Sequence, residues 1–150
     1  MVLVITQPAR HGITAPDAFR LAGITYRQLD HWARRAWVAP SVEAGTGRPG
    51  RRLYSPEDVL RLAALGHLGR SGADVGRLGP QVAGLELPDG DVDYLVVLGS
   101  ELSLEIVAAG ELRPKLGTPG TYVVFDPAPL RRQLGLASPA PARLRESRTA

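Results

Sequence analysis

The chain has 150 residues, 44% of them hydrophobic, with no cysteine and a formal net charge of +3. That length holds one compact domain or two very small ones, and the absence of cysteine excludes disulfides, thiolate metal sites and cysteine nucleophiles. The run Met1 to Ile5 is too short for a signal-peptide core and no segment approaches the ~20 apolar residues of a membrane span, so a soluble cytoplasmic protein is expected.

The charge is unevenly spread. Residues 1–80 carry eleven arginines against six acids, residues 81–126 carry Arg113 and Lys115 against eight acids, and the remainder is basic again. A basic N-terminal part is a candidate polyanion-binding surface, which the acidic middle would avoid.

In chain order, residues 1–12 form an N-terminal arm, and Pro16 to Leu21 follow Thr14 as a short helix ending at a turn on Gly23. Thr25-Tyr-Arg-Gln28 has the form of a capping box, so a second helix starts at Tyr26 and is expected to run to Ala36. Leu29, Trp32, Ala33, Ala36 and Trp37 recur at helical spacing and form one stripe to be buried. The outward line then passes through Arg27, His31 and Arg34, with Asp30 and Arg35 on its flanks. A cation at position 27 is disfavoured by the helix dipole unless an anion lies opposite, and a phosphate or a guanine edge would be that anion.

From Val38 to Tyr54 extended segments flank a tip rich in glycine, Glu43 to Gly50, which reads as a hairpin bearing Arg48, Arg51 and Arg52. Guanidinium groups match phosphate oxygens bidentately, so this wing would track a nucleic-acid backbone. Ser55-Pro56-Glu57-Asp58 then supplies an N-cap, a first-turn proline and dipole-complementing acids for a third helix ending around Gly69 to Gly72. A weak fourth helix is expected from Asp74 through Leu78, with Gly76, Gly79 and Pro80 against it.

Residues 86–91 read as a linker. After it the pattern becomes strand-like at Tyr94 to Leu98, Leu102 to Val107 and Thr121 to Phe125, with helices at 108–116 and 127–134, giving a small ββαβα domain over 92–135. The tail 136–150, rich in Pro, Ala, Ser and Arg, is expected to be disordered. The fold class is therefore α+β: a winged helix-turn-helix, a small ββαβα domain and a tail.

The run Gly23-Ile-Thr-Tyr-Arg-Gln-Leu-Asp-His-Trp-Ala-Arg-Arg-Ala-Trp-Val38, followed by Arg51-Arg-Leu-Tyr-Ser-Pro-Glu-Asp-Val59, resembles the N-terminal domain of MerR-family regulators. The resemblance covers residues 13–79 and is nearest to a subgroup from high-GC bacteria that carries a small C-terminal effector-like domain. It implies a winged helix-turn-helix domain over 13–85, a sequence-specific transcriptional regulator, double-stranded DNA as partner, and a Tyr54 hydroxyl directed at a phosphate, the alternative for Tyr54 being that it packs under the wing; Tyr26 belongs to the same surface. Three departures stand out. Asp30-His31-Trp32 replaces the usual Arg-Tyr-Tyr, Ala36 stands where glycine is usual, and Pro80, Gly84, Pro88 and Gly90 forbid the long dimerisation helix of the metal and drug sensors. Self-association, or a protein partner at the acidic face, therefore falls to 92–135.

The rival reading is an excisionase-like architectural factor or interaction adaptor built on the same helix and wing. Catalysis has little support: His11, His31 and His67 lie at neither metal-ligand nor triad spacing, and Asp89, Asp91 and Asp93 lack the closing glutamate of a calcium loop. No catalytic residue, metal or cofactor is expected.

Overall fold

The computed structural model describes residues 12–44, 52–87, 94–98, 103–117 and 122–136. The N-terminal arm before residue 12, the wing tip with Arg48 and Arg51, most of the linker and the tail from residue 137 lie outside the described residues.

The chain enters as β1 (Ile13–Thr14) and turns directly into α1 (Ala15–Ala22), where the Thr14 hydroxyl accepts the Asp17 amide at 3.4 Å and Pro16 fills the first turn. Gly23, at φ 67°, closes α1: the Ile24 amide reaches back to the Phe19 carbonyl at 3.0 Å and the Gly23 amide to that of Arg20 at 3.2 Å. These paired bonds are those of a Schellman motif. α2 (Tyr26–Arg34) begins with the expected capping box, the Gln28 amide donating to Thr25 Oγ1 at 3.2 Å and the Thr25 amide to Gln28 Oε1 at 2.9 Å.

The far end of α2 corrects the expected helix of 26–36. It stops at Arg34, and Ala36 sits at φ 55°, in the left-handed region. The Trp37 amide donates to the Trp32 carbonyl and the Ala36 amide to that of Ala33, both at 3.0 Å, so the same closing motif is made here with alanine in the glycine position. Ala36 is consequently exposed and Trp37 half-buried, and neither continues the buried stripe of Leu29 and Trp32.

The wing is β2 (Glu43–Ala44) paired antiparallel with β3 (Arg52–Tyr54), and β1 pairs with the other edge of β3, Ile13 opposite Tyr54. Two residues are too few to show an alternating pattern, so β1 has no signature in the sequence. α3 (Pro56–Arg70) follows with its own capping box between Ser55 and Asp58. Val59, Leu62 and Leu65 of α3 meet Ala18, Leu29 and Trp32 in the main core. Gly66 allows the close approach of Ile24, since a methyl group there would overlap its side chain.

α4 runs from Val75 to Ala83, longer than expected and across Pro80. Complete burial of Leu78 and near-complete burial of Val82 outweigh the propensity cost of one proline and two glycines, an override of local preference by packing. Beyond it lie β4 (Tyr94–Leu98), β5 (Ser103–Val107), α5 (Ala109–Lys115), β6 (Tyr122–Phe125) and α6 (Ala128–Gln133). β4 is the central strand of an antiparallel sheet ordered β5-β4-β6, with Leu98 opposite Ser103 and Leu95 opposite Phe125.

This second sheet packs on the helices of the first part. Leu104 and Val123 cover Leu68 and Leu78, while Phe125, Leu130 and Leu134 pack against the main core. Polar interactions between described residues add to the docking: the Leu104 amide donates to Gln81 Oε1 at 3.0 Å, and His67 Nε2 lies 3.0 Å from the Val124 carbonyl oxygen.

Candidate nucleic-acid interface

Because Leu29 and Trp32 turn inward, the opposite face of α2 is open. Arg27, His31, Arg34 and Arg35 are exposed along it, and Tyr26 is 58% exposed at its start, its ring edge-on to Phe19 with centroids 6.3 Å apart. α1 and α3 each carry acids in their first turn, Asp17 in the one and Glu57 with Asp58 in the other. α2 carries none. Its N-terminal partial positive charge is thus unopposed by a side chain and adds to that of Arg27.

The wing is tied to this helix by an ion pair. Arg52 Nη1 on β3 donates to Asp30 Oδ1 at 2.8 Å, and Arg34 Nε forms an ion pair with Asp30 Oδ2 at 2.9 Å, so one carboxylate engages two arginines from two elements. The Arg52 hydrogen bond, supported by the charges of both arginines, holds the Asp30 carboxyl below its ordinary value, against an upward pull from desolvation. Arg52 is raised in turn, chiefly by the same hydrogen bond. Arg52 was expected to face phosphates; its side chain is 31% exposed and Nη1 is engaged by Asp30.

Trp37, just past α2, gathers the other end of the face. His31 stands edge-on to it at 5.9 Å and 90°, and the Arg35 guanidinium lies 6.0 Å from its ring centroid. His31 and Arg35 are therefore partly oriented by an indole that itself rests on α4 against Gly79.

Of the two placements open to Tyr54, a phosphate-facing hydroxyl and packing under the wing, the structure has the second. Tyr54 is fully buried under the wing, its hydroxyl meets no hydrogen-bond partner of good geometry among the described residues, and burial pushes its pKa up against the opposing influence of nearby Arg52. The pairing of Ile13 with Tyr54 across β1 and β3 places this residue in the core, and nothing local in Arg-Leu-Tyr distinguishes that from a wing-surface position.

So the structure brings Tyr26, Arg27, His31, Arg34, Arg35 and Arg52 to one side and removes Tyr54 from it; Arg48 and Arg51 lie outside the described residues. Asp30 is the member that sequence reasoning left on the flank. Its spacing to Arg34 is a legible helical pair, whereas Arg52 is 22 residues away and only the fold unites them. Among the described residues, no group of three or more His, Asp or Glu side chains is placed to hold a metal ion, and no helix is long and apolar enough to cross a membrane.

Residues 13–76 match the family model described as MerR HTH family regulatory protein. Proteins from Mycobacterium bovis and from two strains of Mycobacterium tuberculosis, each named an uncharacterized HTH-type transcriptional regulator, are 51% identical over 51 residues, or 34% of this chain. The matched segment spans only 23% of the length of those relatives. With a capped helix pair, a wing and a third helix occupying the matched span, residues 13–76 are a MerR-family helix-turn-helix domain.

Proposed function

We propose that the chain is a sequence-specific DNA-binding transcriptional regulator in which α2 enters the major groove and the wing follows the flanking backbone. The observation that carries this reading is the exposed face of α2: Arg27, His31 and Arg34 project from a helix whose first turn holds no acid, beside a hairpin tethered to that helix. Such a surface has complementary charge for a duplex and a helix of the right size for its groove. The names of the mycobacterial relatives agree with it.

Wing cations position the protein, whereas helix side chains read bases. Removing Arg48 or Arg51 should weaken binding to every duplex and flatten the dependence of log K on log salt by up to ~0.9 for each phosphate no longer engaged. Removing Arg27 or His31 should weaken a selected site preferentially, by about 1–3 kcal/mol where a base edge is read. A salt titration of the full chain, on a duplex selected from a randomised pool and on the unselected pool, measures both. Unchanged affinity after removal of Arg27, Arg34, Arg48 and Arg51 together would refute the reading.

Within the same proposal, residues 92–135, docked on α3 and α4, act as an effector-like unit serving self-association or a protein partner in the cytoplasm, without a cofactor. Support comes from the sheet order β5-β4-β6, which leaves β5 and β6 at its edges, and from the interrupted sequence after α4. A dimer would read two half-sites related by its two-fold axis. Light scattering of the full chain over a concentration series, with partner capture, tests it; a monomer at every concentration and no partner would end this part of the proposal.

A further inference from the structure

A carboxylate on the DNA-facing side of a recognition helix is costly, since it repels phosphate and cancels a useful cation. Asp30 nevertheless sits there, its side chain 21% exposed beneath an Arg34 that is 75% exposed. Each of its oxygens is committed to a different arginine, Oδ2 to Nε of Arg34 and Oδ1 to Nη1 of Arg52. An ion pair at Nε leaves the Nη pair of the 75% exposed Arg34 unengaged by Asp30, and that pair is the fork that matches the O6 and N7 acceptors of guanine. Holding Arg52 at the same time fixes β3, and with it the wing, against α2.

Resting on the DNA-binding reading above, we infer that Asp30 is a specificity-determining positioning residue, which gives up general affinity for phosphate in order to fix Arg34 and the wing in one geometry. Without its charge the two arginines become free to adapt to any backbone. Binding to arbitrary DNA then tightens while discrimination declines. A merely structural residue would behave differently, because its removal weakens selected and unselected binding together.

The experiment compares the full-length wild type with Asp30→Asn on a duplex selected from a randomised pool by the wild type, and on the unselected pool, across a salt series, with circular dichroism to verify folding. Asp30→Asn should raise affinity for the pool about threefold or more and steepen its salt slope by up to ~0.9 for each arginine released onto a phosphate. Preference for the selected duplex should fall about tenfold. In an Arg52→Gln background the same change should alter preference by no more than about threefold, because part of the coupling is already gone. Asp30→Glu keeps the charge on a longer arm, so preference should fall while pool affinity stays within about twofold.

Preference unchanged in both folded variants, or parallel weakening on both duplexes, overturns the role given to Asp30 while leaving DNA binding intact. A wild type that enriches no duplex and shows no salt-dependent binding overturns the DNA-binding reading itself, and this inference with it.

Discussion

Trp37 lies directly against Gly79, so that the indole that follows α2 occupies the space where any side chain at position 79 would place its Cβ. This packing carries the exit of α2 onto α4, and Trp37 in turn orients His31 and Arg35. Replacing Gly79 by Ala forces either the indole or α4 to move. A destabilisation of about 1–3 kcal/mol in urea unfolding is expected from such overpacking, together with weakened binding to a selected duplex. Wild-type stability in Gly79→Ala would mean that the indole has room to retreat.

Ala36 makes the opposite case. It sits at φ 55°, where Gly23, Gly72 and Gly135 serve the equivalent role after α1, α3 and α6. A left-handed alanine costs roughly 1–2 kcal/mol, part of which glycine's greater unfolded-state entropy would return. Ala36→Gly should therefore stabilise the domain by roughly 0.5–1 kcal/mol. Gly72→Ala is the matched control: nothing lies within 4 Å of the added methyl, so its destabilisation reports the backbone preference alone. Thermal midpoints that move the same way in both variants would contradict the argument.

Among the described residues the buried Tyr54 hydroxyl has no hydrogen-bond partner of good geometry, an arrangement that costs about 1–3 kcal/mol of desolvation. Tyr54→Phe should leave stability at pH 7 unchanged or raise it by about 1 kcal/mol, and should leave DNA affinity unaffected. Burial raises the folded-state pKa above the ordinary 10.0, so this group's contribution is complete below that pH and is lost as pH rises through the folded value. The wild type should thus lose more stability than Tyr54→Phe between pH 9 and 11, by roughly the linkage expected of one proton. A marked destabilisation at pH 7 would reveal a partner for the hydroxyl.

Asp58 is a buried junction rather than only a dipole-complementing acid. Its Oδ2 accepts the Ser41 amide at 2.9 Å, the Ser41 hydroxyl at 2.6 Å and the Ser55 amide at 2.9 Å, joining the segment after α2 to the start of α3. Asp58→Ala leaves two amides without acceptors, and a cost of about 2–4 kcal/mol is expected. Ser41→Ala removes only the hydroxyl and should cost about 1 kcal/mol. Equal effects of the two substitutions in urea unfolding would place the energy elsewhere.

Local chemistry wrote much of the helix-turn-helix into the sequence. Thr25 with Gln28 and Ser55 with Pro56 mark helix starts because side-chain caps act within three residues, and Leu29 and Trp32 mark the buried side of α2 because helical spacing puts them on one stripe. The exposure of Arg27, His31 and Arg34 follows from that same geometry. Tertiary structure decided what depends on distant partners: β1 on β3, the course of α4 across Pro80, the burial of Tyr54, Trp37 on Gly79 and the clasp of Arg52 by Asp30. In each case, burial or pairing between segments far apart in the chain outweighed or supplemented a local preference of at most a few kcal/mol, and no short-range pattern records which segments those are.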